Sequence, residues 1–309
     1  MDTFLFGVVP YLAVAVTVVG AIGRFRTMRH TVTSSSSQLL EGRLQFWGSV
    51  SWHYAILLVL LVHLCAIFLP GPMASLLSSP GRLLAIEVTV FALGLTARKE
   101  GRTGVAALLN RLLTWRVPIR WYAFALGYMV AIKLTVALVH RVATGAWPRI
   151  NEDPAYILLG LIASLAFFWG QAGEEIGWRG YALPRLTARL GIGRASVLLG
   201  VIWAVWHLPL FFLPATTTTG QSFPLYLLQV TALSVAIGWL YAHTKGSLLL
   251  VMIMHSAVNN TKDIVPSAVP EANVPFSLSG SLVGWLTVAV LWISGAYFLA
   301  RMPDVERPA

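Results

Sequence analysis

The chain has 309 residues, of which 57% are hydrophobic and 11% charged, whereas soluble domains normally contain about 25% charged residues. Its net charge of +10 comes from Lys and Arg residues that lie mostly in short stretches between long apolar runs. This distribution argues against a soluble domain and a nucleic-acid partner, and it predicts a multi-pass protein in the lipid bilayer of a cell membrane, the bacterial inner membrane.

The apolar runs recur along the whole sequence and predict membrane-spanning helices, because they are too long for barrel strands. The fold class is therefore all-α membrane, a polytopic helical bundle of about nine transmembrane helices. The predicted spans, in chain order, are 4–23, 52–69, 82–97, 121–140, 156–178, 196–213, 225–242, 247–264 and 282–300. The first run begins with an acidic residue and has no small-residue cleavage site, so we expect a retained span.

The positive charges predict how these spans are oriented. Seventeen Lys and Arg residues fall on one side of the arrangement and four on the other. The richer side should be cytoplasmic, which puts the N-terminus outside and the C-terminus in the cytoplasm. Lys133 lies within the fourth predicted span, and we expect its side chain to snorkel to the outer headgroups.

The polar, glycine-containing stretch 98–104 predicts a boundary between two regions. Residues 1–98 would hold three spans, and residues 99–309 about six.

The N-terminal region contains the string SSSSQLLEGRLQFWGSVSWHYAILLVLLVHLCAIFLP. This string resembles the first part of the gamma subunit of respiratory nitrate reductase, a membrane cytochrome b. His53 and His63 match haem-ligating positions of that family, and the resemblance implies haem b as a cofactor. They lie about 15 Å apart along one helix and within roughly 80° around it. In that family the partner ligands come from the second half of the protein, which we do not find in this sequence. The region is therefore interpreted as truncated. Helix capping by His53 and a bundle hydrogen bond from His63 stay open as alternatives.

The C-terminal region places three groups of ionisable residues in or beside predicted spans, where such residues are costly. Glu174, Glu175 and Arg179 close the fifth span in the pattern EExxxR. Trp203-Ala-Val-Trp-His207 lies in the sixth span, and His255-Ser-Ala-Val-Asn259 lies in the eighth.

The positions of these groups along their predicted spans indicate that all three meet in the cytoplasmic half of the membrane. His207 is roughly 16 Å into its span and His255 roughly 12 Å, while Glu174 lies in the last two turns of its own. His255 and Asn259 are four residues apart, which puts both on one helix face. Taken alone, each of these groups is explained equally well by a helix–helix hydrogen bond or by a charge cluster in a loop. The joint occurrence favours a catalytic site.

These residue types suit hydrolysis of an amide bond. A carboxylate beside an imidazole can hold and deprotonate a water molecule, and a second histidine with an asparagine can stabilise an oxyanion. Arg179 would pair with one of the two adjacent carboxylates. Alternatively, Glu174, His207 and His255 would bind zinc, which would activate the water.

EExxxR, aromatic-xxx-His and HxxxN, together with the text EEIGWRGYALPRL, resemble the CPBP family of CAAX proteases and bacteriocin-processing enzymes, also called Abi, over about 105–309. The resemblance implies a membrane endopeptidase fold of eight or fewer helices. It implies Glu174 as general base helped by His207, and His255 with Asn259 at the oxyanion. Glu175 and Arg179 match the remaining motif positions, and both a metalloprotease and a metal-free glutamate mechanism stay open.

One position departs from that pattern: Trp203 stands where phenylalanine is the commoner aromatic, and we expect it only to reshape the pocket wall. The leading hypothesis is an intramembrane endopeptidase acting on a membrane-associated protein or peptide near the cytoplasmic face. The alternatives are a haem-b electron-transfer subunit and an inactive scaffold or immunity protein. Substrate and oligomeric state are not predicted.

Overall fold

The computed structural model describes residues 80–303 except 152, 154, 167–170, 213–217, 219–220, 268–274 and 279. Regular secondary structure in this part of the chain is entirely helical. The α-helices are α1 (Pro80–Asn110), α2 (Ile119–Thr144), α3 (Tyr156–Ala166), α4 (Ala172–Glu175), α5 (Leu183–Leu190), α6 (Ile192–His207), α7 (Phe223–His243), α8 (Leu248–Thr261) and α9 (Leu282–Ala300). A π-helix, Ile176–Ala182, joins α4 to α5, and 3₁₀ turns lie at Arg111–Leu113, Leu208–Phe212 and Lys262–Ile264. The residues described from Leu84 onward belong to one compact unit.

Four described helices are long and apolar enough to cross a membrane. They are α2, α6 with its 3₁₀ extension to Phe212, α7 and α9, while α3 is apolar but has only 11 residues. These four coincide with the predicted spans 121–140, 196–213, 225–242 and 282–300, so the helical membrane class is confirmed. The predicted spans 4–23 and 52–69 lie outside the described residues. The total of nine spans and the orientation stay predictions.

Serine side chains cap the N-termini of three helices, α7, α8 and α9. Ser222, Ser247 and Ser281 each precede a helix and accept a hydrogen bond from a backbone N–H three residues later. Such a cap satisfies one of the amides that a helix leaves unpaired at its start. The caps therefore favour the helix starts seen here.

Helix α8 is the centre of the described bundle. Every residue from Leu250 to Val258 is buried, and α8 packs against α2, α3 and α7. A helix that is apolar on all sides is expected to be enclosed by other helices. His255 therefore lies in the interior of the protein, not on a lipid-facing surface.

Glycines allow two close helix crossings. A Cβ atom at Gly200 in α6 would lie 2.6 Å from the Cα atom of Thr231 in α7. A Cβ atom at Gly160 in α3 would lie 2.6 Å from the carbonyl oxygen of Asn260 in α8. Small residues let membrane helices approach closely, and these contacts set how near α6 and α3 come to their neighbours.

The predicted snorkelling of Lys133 is wrong. Its side chain is 3% exposed, and Nζ donates to the Val265 carbonyl (3.1 Å), Ser267 Oγ (2.6 Å) and Thr287 Oγ1 (3.3 Å). The ammonium has three donors, and here each has an oxygen acceptor from the chain. A buried cation with its hydrogen bonds made inside the bundle has no need to reach the headgroups.

Candidate active site

The EExxxR segment lies on a widened helix. Glu174 and Glu175 end α4, Arg179 lies in the π-helix, and the Leu183 N–H bonds to the Trp178 carbonyl five residues earlier. Widened turns of this kind occur frequently at functional sites. Here the turn puts the Arg179 guanidinium beside the Glu175 carboxylate.

Helix α1 packs against the EExxxR segment. Thr89 Oγ1 donates to the Gly173 carbonyl at 2.7 Å, and Gly177 has no room for a side chain against Val88. A Cβ atom at Gly180 would lie 2.7 Å from Leu108. The backbone that carries both carboxylates is therefore packed against α1 along its length.

Glu175 is the centre of a buried charged network. Arg179 Nη1 donates to its two carboxylate oxygens at 2.9 and 3.2 Å, and His255 Nδ1 lies 2.8 Å from Oε1. Glu175 and Arg179 are 0% exposed and His255 is 5% exposed. Because a carboxylate only accepts, Nδ1 of His255 carries the proton, which leaves Nε2 as the free ring nitrogen. A carboxylate that holds an imidazole in one tautomer is the orienting arrangement used by catalytic triads.

Glu174 belongs to a second part of the site, built around Trp203. Trp203 Nε1 donates to Glu174 Oε2 at 2.7 Å. The Arg179 guanidinium lies over the Trp203 ring at 4.4 Å, and the His255 ring meets that ring edge-on at 5.1 Å. One indole thus contacts residues from all three predicted groups.

His207 lies at the end of α6, next to this indole. Its Nδ1 is 2.9 Å from the Trp203 carbonyl, which can only accept, so Nδ1 donates and Nε2 is free. Its ring packs edge-on against Trp206 and Tyr226. The His207 ring lies 6.0 Å from the Trp203 ring, which also contacts His255 and bonds to Glu174, so all three side chains adjoin one indole.

Asn259 differs from the other predicted residues. It is exposed, one turn after His255 on α8, and no described residue shares a hydrogen bond with its side chain. The adjacent Asn260 is the asparagine that bonds within the bundle, to Ser164 Oγ at 3.3 Å and to the Ser256 carbonyl at 2.9 Å. The structure thus brings Glu174, Glu175, Arg179, His207 and His255 together, while Asn259 lies outside their hydrogen-bond network.

Two contributions were not predicted. Trp203 was expected only to shape a wall, yet its N–H bonds to Glu174; the donor on tryptophan, absent from phenylalanine, was the available signal. Ser234 in α7 accepts from Arg179 Nη2 at 3.3 Å and donates to the Ser196 carbonyl at 2.8 Å. Nothing in the local sequence marks Ser234, since only the packing of α7 brings it to Arg179.

Two cofactors were predicted from the sequence, zinc and haem b. In the part of the chain that the structure describes, no three His, Cys, Asp or Glu side chains form a group that could hold a metal ion. Glu174, His207 and His255 are thus not arranged there as a ligand set, and zinc dependence stays a prediction. His53 and His63, the predicted haem ligands, lie outside the described residues.

Two family models match the chain. The model described as nitrate reductase gamma subunit matches residues 2–166, more than half of the sequence. The chain belongs to the nitrate reductase gamma subunit family. The model described as type II CAAX prenyl endopeptidase Rce1-like matches residues 153–261. Both resemblances noted in the sequence are confirmed, and the Rce1-like region contains Glu174, His207, His255 and Asn259.

A curated protein of Methanococcus maripaludis named CAAX prenyl protease 2 is similar to this chain. The two are 28% identical over 120 residues, which cover 36% of this chain and 44% of the relative. The chain thus spans less than half the length of that relative.

The two family matches share part of the chain. The gamma-family match ends at residue 166 and the Rce1-like match begins at residue 153, so both include residues 153–166. The predicted domain boundary at 98–104 falls inside α1, at the kink where Gly101 has a φ of 67°.

Proposed function

We propose that the chain is an intramembrane endopeptidase of the CAAX-processing type that hydrolyses a peptide bond of a membrane-associated protein or peptide near the cytoplasmic face. The observation that carries the proposal is the hydrogen-bonded cluster of Glu174, Glu175, Arg179, Trp203 and His255, assembled from three separate segments. The Rce1-like match over 153–261 and the likeness to a protein named CAAX prenyl protease 2 support it.

In the proposed reaction Glu174 is the general base. Oε2 is held by Trp203, which leaves Oε1 to accept a proton from a water molecule. The unprotonated Nε2 of His207 accepts the second hydrogen of that water and orients it. The water oxygen then attacks the carbonyl carbon of the scissile bond, and a tetrahedral oxyanion forms.

His255 and Asn259 would stabilise this oxyanion. Because Nδ1 of His255 bonds to Glu175, a donation from Nε2 requires the imidazolium form. The Asn259 amide has no partner among the described residues and so keeps both donors for a substrate. As the C–N bond breaks, the proton on Glu174 passes to the leaving amine, which yields a carboxylic acid and an amine; proton transfer from the acid to the amine then gives the carboxylate and the ammonium ion. Oxyanion donors of this kind each contribute about 10²–10³ in rate.

The test is peptide cleavage by the full chain in proteoliposomes. The substrates are an internally quenched peptide ending in a farnesylated CAAX box and the same peptide without the lipid. We expect Glu174→Ala to lower the cleavage rate by about 10²–10⁴, the usual contribution of a general base. Glu100→Ala removes an exposed carboxylate remote in sequence and is the matched control. Equal, measurable rates for Glu174→Ala and the unaltered chain would contradict the mechanism, whereas no cleavage of either peptide by the unaltered chain would favour an inactive scaffold or immunity protein.

Membership of the nitrate reductase gamma family favours a second candidate, a haem-b electron-transfer membrane subunit. His53 and His63 would supply axial ligands, and the protein would tune the haem through them. Absorbance of the purified chain in the Soret region tests this candidate, with His53→Ala and His63→Ala as the informative variants. A haem band that both variants abolish supports it, and a purified chain without that band after expression with added haem contradicts it.

A further inference from the structure

Trp203 is the hydrogen-bond donor that reaches Glu174 among the described residues. The Nε1–Oε2 distance of 2.7 Å lies at the short end of the range for an N–H donor and an oxygen acceptor. Phenylalanine, the commoner aromatic of the CAAX-protease pattern at this place, has no group that could make this bond. The departure therefore adds an interaction with the candidate base.

The indole itself is held on several sides. Trp203 is 5% exposed, with the Arg179 guanidinium 4.4 Å above its ring and the His255 ring 5.1 Å away at its edge. The backbone carbonyl of Trp203 accepts a separate hydrogen bond from His207 at 2.9 Å. Because the ring cannot rotate without losing its contacts with Arg179 and His255, the direction of its N–H is fixed, and so is the oxygen that it binds.

We infer that Trp203 is a positioning residue for Glu174, an assignment that rests on the proposed role of Glu174 as general base. By occupying Oε2, the indole N–H leaves Oε1 as the oxygen that faces the water. The bond also connects the carboxylate to α6, the helix that carries His207. Trp203 therefore sets where Glu174 and His207 lie relative to each other, because its indole N–H holds the Glu174 carboxylate and its backbone carbonyl holds the His207 ring. A water molecule between Glu174 and His207 would contact both groups.

The charged and titratable groups around Glu174 come from four elements. Arg179 of the π-helix, His207 of α6 and Tyr226 of α7 interact with it electrostatically. His255 of α8 acts on His207 and is paired with Glu175. Trp203→Phe removes a neutral donor and leaves all of these groups in place, so its effect on the pH profile reports on the lost hydrogen bond.

The experiment measures peptide cleavage by Trp203→Phe across a pH series, in the proteoliposome assay described above. We expect kcat to fall about ten- to hundredfold, which corresponds to losing one hydrogen bond to a charged group. KM should not change, because the bond acts on the base and not on the bound peptide. The pH profile of the variant should differ from that of the unaltered chain, because Trp203→Phe removes the donor that holds the candidate base.

The matched control is Trp292→Phe. It removes the same atoms and also an indole hydrogen bond, from Nε1 to the Leu228 carbonyl at 3.1 Å, far from Glu174 in the sequence. It should leave kcat and the pH profile unchanged. Replacing Trp203 by 3-benzothienylalanine keeps the shape of the ring without the N–H and should reproduce the effect of Trp203→Phe even if the smaller ring destabilises the fold.

A folded Trp203→Phe chain with the kcat and pH profile of the unaltered chain overturns the inference. If the unaltered chain cleaves neither peptide, the proposed function fails instead. In that case a double-mutant cycle of Trp203→Phe and Glu174→Ala, read from unfolding in detergent, still tests the bond. Non-additive changes support the contact, and additive changes refute it.

Discussion

Replacing Arg179 with methionine removes the cation from the buried network and keeps a long unbranched side chain. The guanidinium donates to the Glu175 oxygens at 2.9 and 3.2 Å and to Ser234 Oγ at 3.3 Å. Both members of the ion pair are 0% exposed. The substitution would leave the Glu175 carboxylate in the interior with His255 as its remaining described donor.

The expected magnitude follows from this burial. Removing one partner of a buried ion pair costs about 3–5 kcal/mol, because the other charge stays uncompensated. The pair of Arg185 and Glu100 provides the contrast, since its side chains are 34% and 49% exposed. Exposed pairs contribute about 0–1 kcal/mol. Arg179→Met should therefore lower the free energy of unfolding by about 3–5 kcal/mol and Arg185→Met by at most about 1 kcal/mol.

Unfolding by sodium dodecyl sulfate, followed by circular dichroism in mixed micelles, measures both values. The double variant Glu175→Gln with Arg179→Met should recover part of the loss, because it leaves no unpaired charge. If Arg179→Met loses no more than Arg185→Met, or if the double variant is less stable than Arg179→Met alone, the reasoning from burial is refuted.

Two further tests concern metal and packing. Incubation with EDTA distinguishes the two mechanisms that stay open: unchanged peptide cleavage would support the metal-free glutamate mechanism, and a loss of cleavage that Zn²⁺ restores would support the zinc mechanism. Gly200→Val should lower the free energy of unfolding by about 1–3 kcal/mol, since a Cβ there lies 2.6 Å from Thr231 Cα. Gly127→Val is the control, as a Cβ at Gly127 meets nothing within 4 Å, and equal losses for the two would contradict the packing argument.

The gamma-family match includes helices that pack around the candidate site. It extends to residue 166 and so includes α1, α2 and α3 up to its last residue, Ala166. Helix α1 packs on the backbone of Gly173 and Gly177, and α2 and α3 pack on α8. Helices within the gamma-family match thus support both the segment with the carboxylates and the helix with His255.

Composition and apolar length determined the membrane class and four of the spans, because partition into lipid depends on the residues of each segment taken alone. Motif spacing likewise identified Glu174, Glu175, Arg179, His207 and His255 as a group, since intramembrane polar residues are costly wherever they occur. The pairing of Glu175 with Arg179 was also within reach, because the two are four residues apart on one helix.

Only the tertiary structure decided which donor meets which acceptor. Trp203 bonds to Glu174, His255 to Glu175 and Lys133 to Ser267 because separate helices bring those atoms together. Spacing put Asn259 on the face of His255, yet the packing of α3 engages Asn260 instead. A sequence states which groups are costly to bury, and the helix packing determines the partners that offset that cost.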